Sequence, residues 1–150
     1  CGGRKIRYQH IAVIERIEMI KKPTIIKKPW GHEEIWAQGS LYAGKILVIK
    51  KGHRLSRQYH KLKEETIMVL DGVLLCEEGP HRADEDPIRH VMPAGEIFHV
   101  SPGTIHRFCA EEGDVRLVEV SSHQTDDVVR LEDDYRRIED FPEPLPESWK

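Results

Sequence analysis

Short runs of β-branched and apolar residues, separated by turn residues about every ten positions, extend from residue 25 to residue 122. This regular punctuation is typical of an all-β sandwich or barrel, because short strands alternate with tight turns. The region shows no alternation of strand and helix patterns. The apolar runs predict strands at Leu41–Lys50, Thr66–Leu70, Val73–Cys76, Glu96–Ser101 and Val115–Ser121.

The two ends of the chain depart from this pattern. Near the N-terminus, a short amphipathic helix and an edge strand both fit the spacing of Ile11, Val13, Ile14, Ile17 and Ile20. After residue 122 the chain becomes acidic and then proline-rich. A length of 150 residues fits one domain. We therefore predict an N-terminal extension at 1–24, a barrel at 25–122 and a tail at 123–150 that packs on the barrel.

Charge and composition exclude several classes of protein. With 23 basic and 26 acidic residues, the net charge of -3 gives no overall attraction to phosphate backbones, so no nucleic-acid partner is expected. The longest apolar runs, such as Ile46–Ile49, are far shorter than the roughly 20 residues of a membrane span. No secretory signal pattern is present, which indicates the cytoplasm. Cys1, Cys76 and Cys109 form no CxxC pair and are expected to be free thiols.

A candidate metal site lies between Gly52 and His106. In a strand, alternate side chains share one face, so Gln58 and His60 could reach the same ion. Glu65 follows after a short turn, and His106 follows the Pro102-Gly103 turn. The set of two imidazole nitrogens and two oxygens suits one divalent transition metal. Zinc is the first choice, and Mn, Fe, Ni or Co are also compatible.

The spacing of His60 and Glu65 alone does not establish such a site. Nine histidines occur in the chain, and a histidine separated by four residues from a glutamate is more often a surface pair than a pair of ligands. The joint pattern changes this interpretation, because glycines frame the first segment and a tight turn precedes His106. We therefore favour a metal site over a chance surface pair.

The framed segments resemble the two cupin motifs. The matching patterns are Gly52-x5-Gln58-x-His60-x4-Glu65-x6-Gly72 and Gly95-x6-Pro102-Gly103-x2-His106. Gln58 stands where most cupins have histidine, and this glutamine is similar to a narrower family, the type II phosphomannose isomerase domain of mannose-1-phosphate guanylyltransferases. Further similarity covers Lys28–Gly31, His106-Arg107, Val118–Ser121 and Asp126–Tyr135, whereas Tyr135-Arg136-Arg137 replaces the usual Tyr-Gly-Arg. The resemblance implies a single-domain cupin, a jelly-roll barrel also described as a double-stranded β-helix.

The resemblance also implies a metal-dependent isomerase that interconverts aldose and ketose forms of mannose 6-phosphate or a related sugar phosphate. Such a reaction needs a cation that polarises the carbonyl and a base that moves a proton. Glu119 is the candidate base if Val115, Leu117 and Glu119 face inward, but the opposite orientation, with Val118 and Val120 inward, fits the pattern equally well. Lys63 shares the face of Glu65 and is either a second proton-transfer group or a solvated lysine.

Arg107 and Arg130 are the candidates for binding the substrate's anionic group, because guanidinium presents a planar fork that matches phosphate oxygens. Salt bridges with the acidic tail, for instance from Arg130 to Asp126 or Asp134, are the equally weighted alternative. We also expect a homodimer, because open sheets commonly cover their edges by pairing and the segment Ile11–Ile20 could be exchanged.

Three other functions fit parts of the pattern. A non-catalytic sugar-binding or regulatory cupin could keep the metal for stability. A metal-dependent dioxygenase is a further alternative, although Gln58 departs from the histidine-rich ligand sets of such enzymes. A metal-free nucleotide-sugar epimerase would need a buried histidine–carboxylate pair and no ligand cluster. Metal analysis separates this last class from the others.

Overall fold

The computed structural model describes residues 21–80, 82, 84–124 and 126–137. These residues form strands and no helix. The strands are β1 (Thr24–Lys28), β2 (Gly31–Gln38), β3 (Tyr42–Ile49), β4 (His53–Arg54), β5 (Arg57–His60), β6 (Glu65–Asp71), β7 (Val73–Glu78), β8 (Ile88–Pro93), β9 (Ile97–Val100), β10 (His106–Ala110), β11 (Val115–Ser122) and β12 (Val128–Glu132). In this part of the chain, no helix has the length and apolar content to cross a membrane.

The strands build two antiparallel sheets. The first has the order β1-β2-β3-β11-β6-β9, and the second has the order β12-β5-β10-β7-β8, with β4 also paired to β10. From β3 onward the chain passes repeatedly from one sheet to the other, so strands distant in sequence become neighbours. This is the all-β jelly-roll expected from the sequence, and the five predicted strands are confirmed with shifts of one or two residues at most ends.

The core lies between the inner faces of the two sheets. Strand β11 shows how the pattern sets its two faces: Val115, Leu117 and Glu119 are buried, whereas Val120 is 51% exposed. β11 lies between β3 and β6, and its backbone N–H and C=O groups form hydrogen bonds with both strands. Its side chains alternate between the two faces of the sheet, and one of these faces packs in the core. The inward orientation of Val115, Leu117 and Glu119, left open by the sequence, is therefore the one observed.

Two glycines are required by the backbone. Gly31, in the turn that joins β1 to β2, has φ of 146°, and a Cβ there would lie 1.9 Å from the carbonyl oxygen of Val48. Gly72 has φ of 83°, and its Cβ would lie 2.4 Å from the carbonyl oxygen of Asp114. Both glycines belong to the segments that carried the family resemblance, so part of that resemblance reflects how tightly the sheets pack.

The C-terminal segment contributes a strand to the second sheet. β12 pairs with β5 at the edge of that sheet, with Arg130 opposite Gln58. Beyond it, Arg136 has φ of 57°, the left-handed conformation that favours glycine. Arginine thus occupies the position where the similar family carries glycine. The predicted boundaries of the extension, barrel and tail remain predictions, and the interpretation of Ile11–Ile20 lies outside the described residues.

Candidate metal centre and cavity

A cavity of about 260 Å³ opens between the two sheets and contains most of the predicted site residues. This volume is near the lower end of the range for small-molecule sites. Gln58, His60, Lys63, Glu65, Glu119 and Arg130 all line it. The strands that carry them come from both sheets, so the site exists only after the barrel closes.

Three buried side chains form a group that could hold a metal ion: His60, Glu65 and His106. The Nε2 atom of His106 lies 3.2 Å from Glu65 Oε1, and the Nε2 atom of His60 lies 3.7 Å from Glu65 Oε2. Candidate ligand atoms from all three residues lie within 4.8 Å of one another. They sit on β5, β6 and β10, which brings both sheets to one point.

The hydrogen bonds of the two histidines fit a metal site. His106 Nδ1 donates to the carbonyl oxygen of Thr104 at 2.9 Å, and His60 Nδ1 donates to Asp127 Oδ1 at 3.0 Å. Donation from Nδ1 leaves the lone pair of a neutral imidazole on Nε2. Both Nε2 atoms are buried without a hydrogen-bond partner and face Glu65. Buried polar atoms without a partner are costly, and a bound cation would satisfy both.

Burial and local charge favour the protonation states that a cation needs. Burial lowers the pKa of His60, which keeps its imidazole neutral near pH 7. Burial alone would raise the pKa of Glu65, but its close contact with His106 and the positive charge of Lys63 hold that pKa well below its usual range. An ionised carboxylate beside two imidazoles is a suitable donor set for a divalent transition metal.

Lys63 and Glu119 form a buried ion pair beside this group. Lys63 Nζ lies 2.8 Å from Glu119 Oε1 and also contacts the carboxylate of Glu65. Burial lowers the pKa of Lys63, but the charges of Glu119 and Glu65 outweigh it and raise this pKa to about 12. Lys63 is therefore a charged ammonium inside the cavity, not the solvated lysine that the sequence also allowed.

Gln58 lies in the cavity on the same face of β5 as His60, as strand alternation predicted. Its amide Oε1 accepts a hydrogen bond of 2.6 Å from the Ser56 hydroxyl. That bond fixes the orientation of the amide. The role of Gln58 as a fourth ligand remains a prediction.

The two arginines proposed for substrate binding lie in different places. Arg130 lines the cavity from β12. Arg107 follows His106 on β10, so its side chain projects to the opposite face, where it lies 3.3 Å from Glu132 and 2.9 Å from Asp134. Arg107 is 1% exposed and does not line the cavity. For Arg107, the structure favours the salt-bridge alternative over substrate binding.

Sequence reasoning did not assign Asp127, which the structure places against His60. Asp127 Oδ2 also accepts the backbone N–H groups of Leu62 and Lys63, at 2.7 and 2.9 Å. Asp127 is thereby fixed to the turn that carries Lys63 as well as to one imidazole. In the sequence, Asp127 stood out only as a member of the segment 126–135 that is similar to the family, and that similarity did not indicate a contact with His60.

Comparisons with known proteins agree with this fold. A model of the family described as mannose-6-phosphate isomerase C-terminal matches residues 15–140. No curated protein matches the chain. The capsular polysaccharide assembling protein CapF from Staphylococcus aureus is a structural neighbour, with a TM-score of 0.67 and 15% identity over 79% of this chain and 34% of CapF. The chain thus spans about a third of the length of CapF.

Two other structural neighbours are similar in size to this chain. KdgF from Halomonas sp. has a TM-score of 0.60 and 17% identity, covering 69% of this chain and 91% of KdgF. An RmlC-like cupin from Shewanella frigidimarina has a TM-score of 0.60 and 17% identity, covering 70% of this chain and 87% of its own. At these identities the likeness concerns the cupin fold.

Proposed function

Because the chain belongs to the family of mannose-6-phosphate isomerase C-terminal domains, we propose that it is a metal-dependent isomerase that interconverts the aldose and ketose forms of a sugar phosphate. The observation that carries the proposal is the charged pair Lys63–Glu119, which lines the cavity beside the His60–Glu65–His106 group. Isomerisation needs both a proton-transfer group and stabilisation of negative charge on oxygen, and these two clusters are suited to those tasks.

His60, Glu65 and His106 would hold the ion, with Gln58 as the fourth donor. When bound, a divalent cation supplies Lewis-acid polarisation of the sugar carbonyl. Asp127 fixes the ring of His60 through Nδ1, and the Thr104 carbonyl does the same for His106. These bonds keep the two Nε2 atoms aimed at one point.

Glu119 and Lys63 divide the proton chemistry between them. The Glu119 carboxylate takes the proton from C2, the carbon next to the C1 carbonyl, and returns it to C1, while the hydroxyl proton of O2 passes to O1. The Lys63 ammonium donates a hydrogen bond to the substrate oxygen on which negative charge develops, and its raised pKa keeps it charged. The close contact between the two groups holds the Glu119 carboxylate in one orientation before substrate arrives.

Metal analysis followed by an isomerase assay tests this proposal. The full chain, purified without added metal, is expected to carry a divalent ion. After chelation and restoration with Zn, Mn, Fe, Co or Ni, it should interconvert mannose 6-phosphate and fructose 6-phosphate. His60→Ala should lose both metal and turnover. His99→Ala is the matched control, because His99 is half exposed on β9 and bonds Thr66 outside the cavity.

The same experiment separates the other functions. Metal with sugar binding but no turnover would favour a non-catalytic sugar-binding cupin, and metal-dependent oxygen consumption would favour a dioxygenase. The 3.0 Å contact between His60 and Asp127 is also the histidine–carboxylate pair that a metal-free epimerase needs. A protein that carries no metal and gains none on titration would support that candidate and contradict the isomerase proposal.

We propose a homodimer as the assembly, as expected from the sequence. An apolar row on the outer face of the first sheet supports it: Ile46, Val118, Met68 and Ile97 are register partners across four strands, and Ile97 is 63% exposed. A second copy that covers this row would remove it from water. Light scattering at micromolar concentration should give twice the chain mass, and a monomer mass would refute the proposal.

A further inference from the structure

Two lysines share one carboxylate on the cavity wall formed by β1, β2 and β3. Glu33 Oε2 lies 3.6 Å from Lys28 Nζ and 3.7 Å from Lys45 Nζ. All three residues line the cavity. Two ammonium groups on one carboxylate oxygen leave one positive charge in excess.

This group, which we term the lysine pair, is largely shielded from water. The side chain of Lys45 is 12% exposed, that of Glu33 is 13% exposed and that of Lys28 is 29% exposed. The apolar side chains of Ile26 and Ile35 line the same cavity. Charge removed from water is costly unless it is paired, so an excess ammonium in this position favours an anion beside it.

Another lysine shows what a simple structural pair looks like in this protein. Lys50 Nζ lies 2.8 Å from a single carboxylate, Asp114, and both side chains are more than half exposed. That pair is one to one, and water completes its solvation. The lysine pair differs from Lys50–Asp114 because two ammonium groups share one carboxylate and because its side chains are less exposed.

The lysine pair is well placed relative to the proposed reaction centre. Lys45 on β3 is the register partner of Glu119 on β11, so the two residues are one strand spacing apart, about 4.8 Å. Glu33 lies on β2, two spacings or about 10 Å from β11. An open-chain hexose phosphate is comparable in length, so its carbonyl end and its phosphate could reach both places at once.

We propose that Lys28 and Lys45 bind the phosphate group of the substrate, and that Glu33 holds the two ammonium groups in position. This inference rests on the proposed isomerase function and assigns the anion-binding role that Arg107 does not fill. A phosphate monoester carries a charge of about -1.5 to -2 at pH 7, and the one positive charge in excess in the lysine pair offsets part of it. Glu33 competes with the phosphate for the same donors.

Calorimetry with inorganic phosphate tests the subsite, using the full chain both metal-loaded and after chelation, so that binding to the ion is recognised. Lys45→Met should weaken phosphate binding at least tenfold. Glu33→Gln should tighten it severalfold, because the competing charge is removed. Lys50→Met should leave it unchanged. Thermal unfolding of each variant shows whether it folds. If Lys45→Met does not fold, Lys28→Met takes its place in the binding experiment.

The opposite effects of Lys45→Met and Glu33→Gln on phosphate affinity distinguish a binding role of this group from a structural one. If the group only stabilised the fold, Glu33→Gln and Lys45→Met would both lower the unfolding temperature and neither would tighten phosphate binding. That result overturns the proposal, as does binding of glucuronate without binding of phosphate.

The outcome for the subsite is separable from the outcome for the isomerase. Turnover with a KM for sugar phosphate that is unchanged in the Lys45→Met variant would overturn the subsite and keep the isomerase. Phosphate binding with the expected signs, but no turnover with any metal, would keep the subsite and overturn the isomerase.

Discussion

The second sheet carries charged residues on both of its faces, and the two groups differ in how completely they are paired. On the outer face, Arg57 and Arg107 are buried among Glu77, Glu132 and Asp134. On the inner face, His60 and His106 meet Glu65 from the first sheet. The two arginines and the two histidines are all buried, so burial of the cationic side chains alone does not separate the groups.

The outer network is paired except at one nitrogen. Arg57 donates hydrogen bonds to Gly79 and Glu77 from its two terminal nitrogens, whereas its Nε lies 3.3 Å from Glu132 without forming a hydrogen bond. All three nitrogens of Arg107 donate hydrogen bonds, to Leu55, Glu132 and Asp134. The inner group instead leaves two buried Nε2 atoms without a hydrogen-bond partner, both facing one carboxylate. Nearly complete pairing between opposite charges indicates a structural role, whereas two unpaired atoms that converge on one carboxylate indicate a binding site.

The largest expected effect comes from removing an inner ligand. His106→Ala should reduce bound metal from about one ion per chain to near zero, because ligands act together in holding an ion. Elemental analysis of the purified variant provides the measurement, with His99→Ala as control. If His106→Ala retained the full metal content, the inner group would lose its distinction from the outer one.

The outer network should affect stability and not metal. Arg107→Met removes a buried guanidinium from the half-exposed Glu132 and Asp134 and leaves the Leu55 carbonyl without its hydrogen bond, which should cost about 1–3 kcal/mol. Denaturant unfolding should show this loss while metal content stays at the wild-type level. A loss of metal in the folded variant would contradict the separation of the two faces.

Asp127 tests whether support of a ligand matters as much as the ligand. Asp127→Asn keeps the size of the side chain but weakens its bond to His60 Nδ1, so metal affinity should fall about 10–100-fold. Competition with a chelator of known affinity measures this change. An unchanged affinity would show that the imidazole is positioned by packing alone.

Arg136 offers a stabilising change beside the outer network. Its left-handed backbone is unfavourable for arginine, so Arg136→Gly should stabilise the protein by about 0.5–1 kcal/mol despite the greater flexibility of glycine in the unfolded chain. Denaturant unfolding measures the gain. Equal or lower stability would show that the arginine side chain compensates for its backbone.

The smallest expected effect is a dependence on pH at the exposed edge of the outer network. The hydrogen bond from Arg54 lowers the pKa of Asp134 below its ordinary 3.8. A carboxyl with a lowered folded pKa stabilises the protein above its unfolded pKa, and this contribution is lost as pH falls through the folded pKa. The unfolding temperatures of wild type and Asp134→Asn should differ at neutral pH and converge in acid. A constant difference would contradict this origin.

The sequence by itself determined the strand positions and the composition of the inner group. Alternation put Gln58 and His60 on one face, and the same rule implies that Arg107 points away from the cavity once His106 points into it. Applied to β10 before the structure was known, it would have excluded Arg107 from the substrate site. Local periodicity is readable because it depends only on neighbours along the chain.

Tertiary structure alone decided the orientation of β11 and the long-range partners. Val115, Leu117, Val118 and Val120 are all apolar, so either face of β11 could have been buried. Its pairing with β3 and β6, together with the position of the second sheet, selected the face that carries Glu119. The contact of His60 with Asp127 spans 67 residues, and that of Lys45 with Glu33 depends on the register of β2 against β3. Sheet order and register arise from the packing of the whole barrel, and no local pattern encodes them.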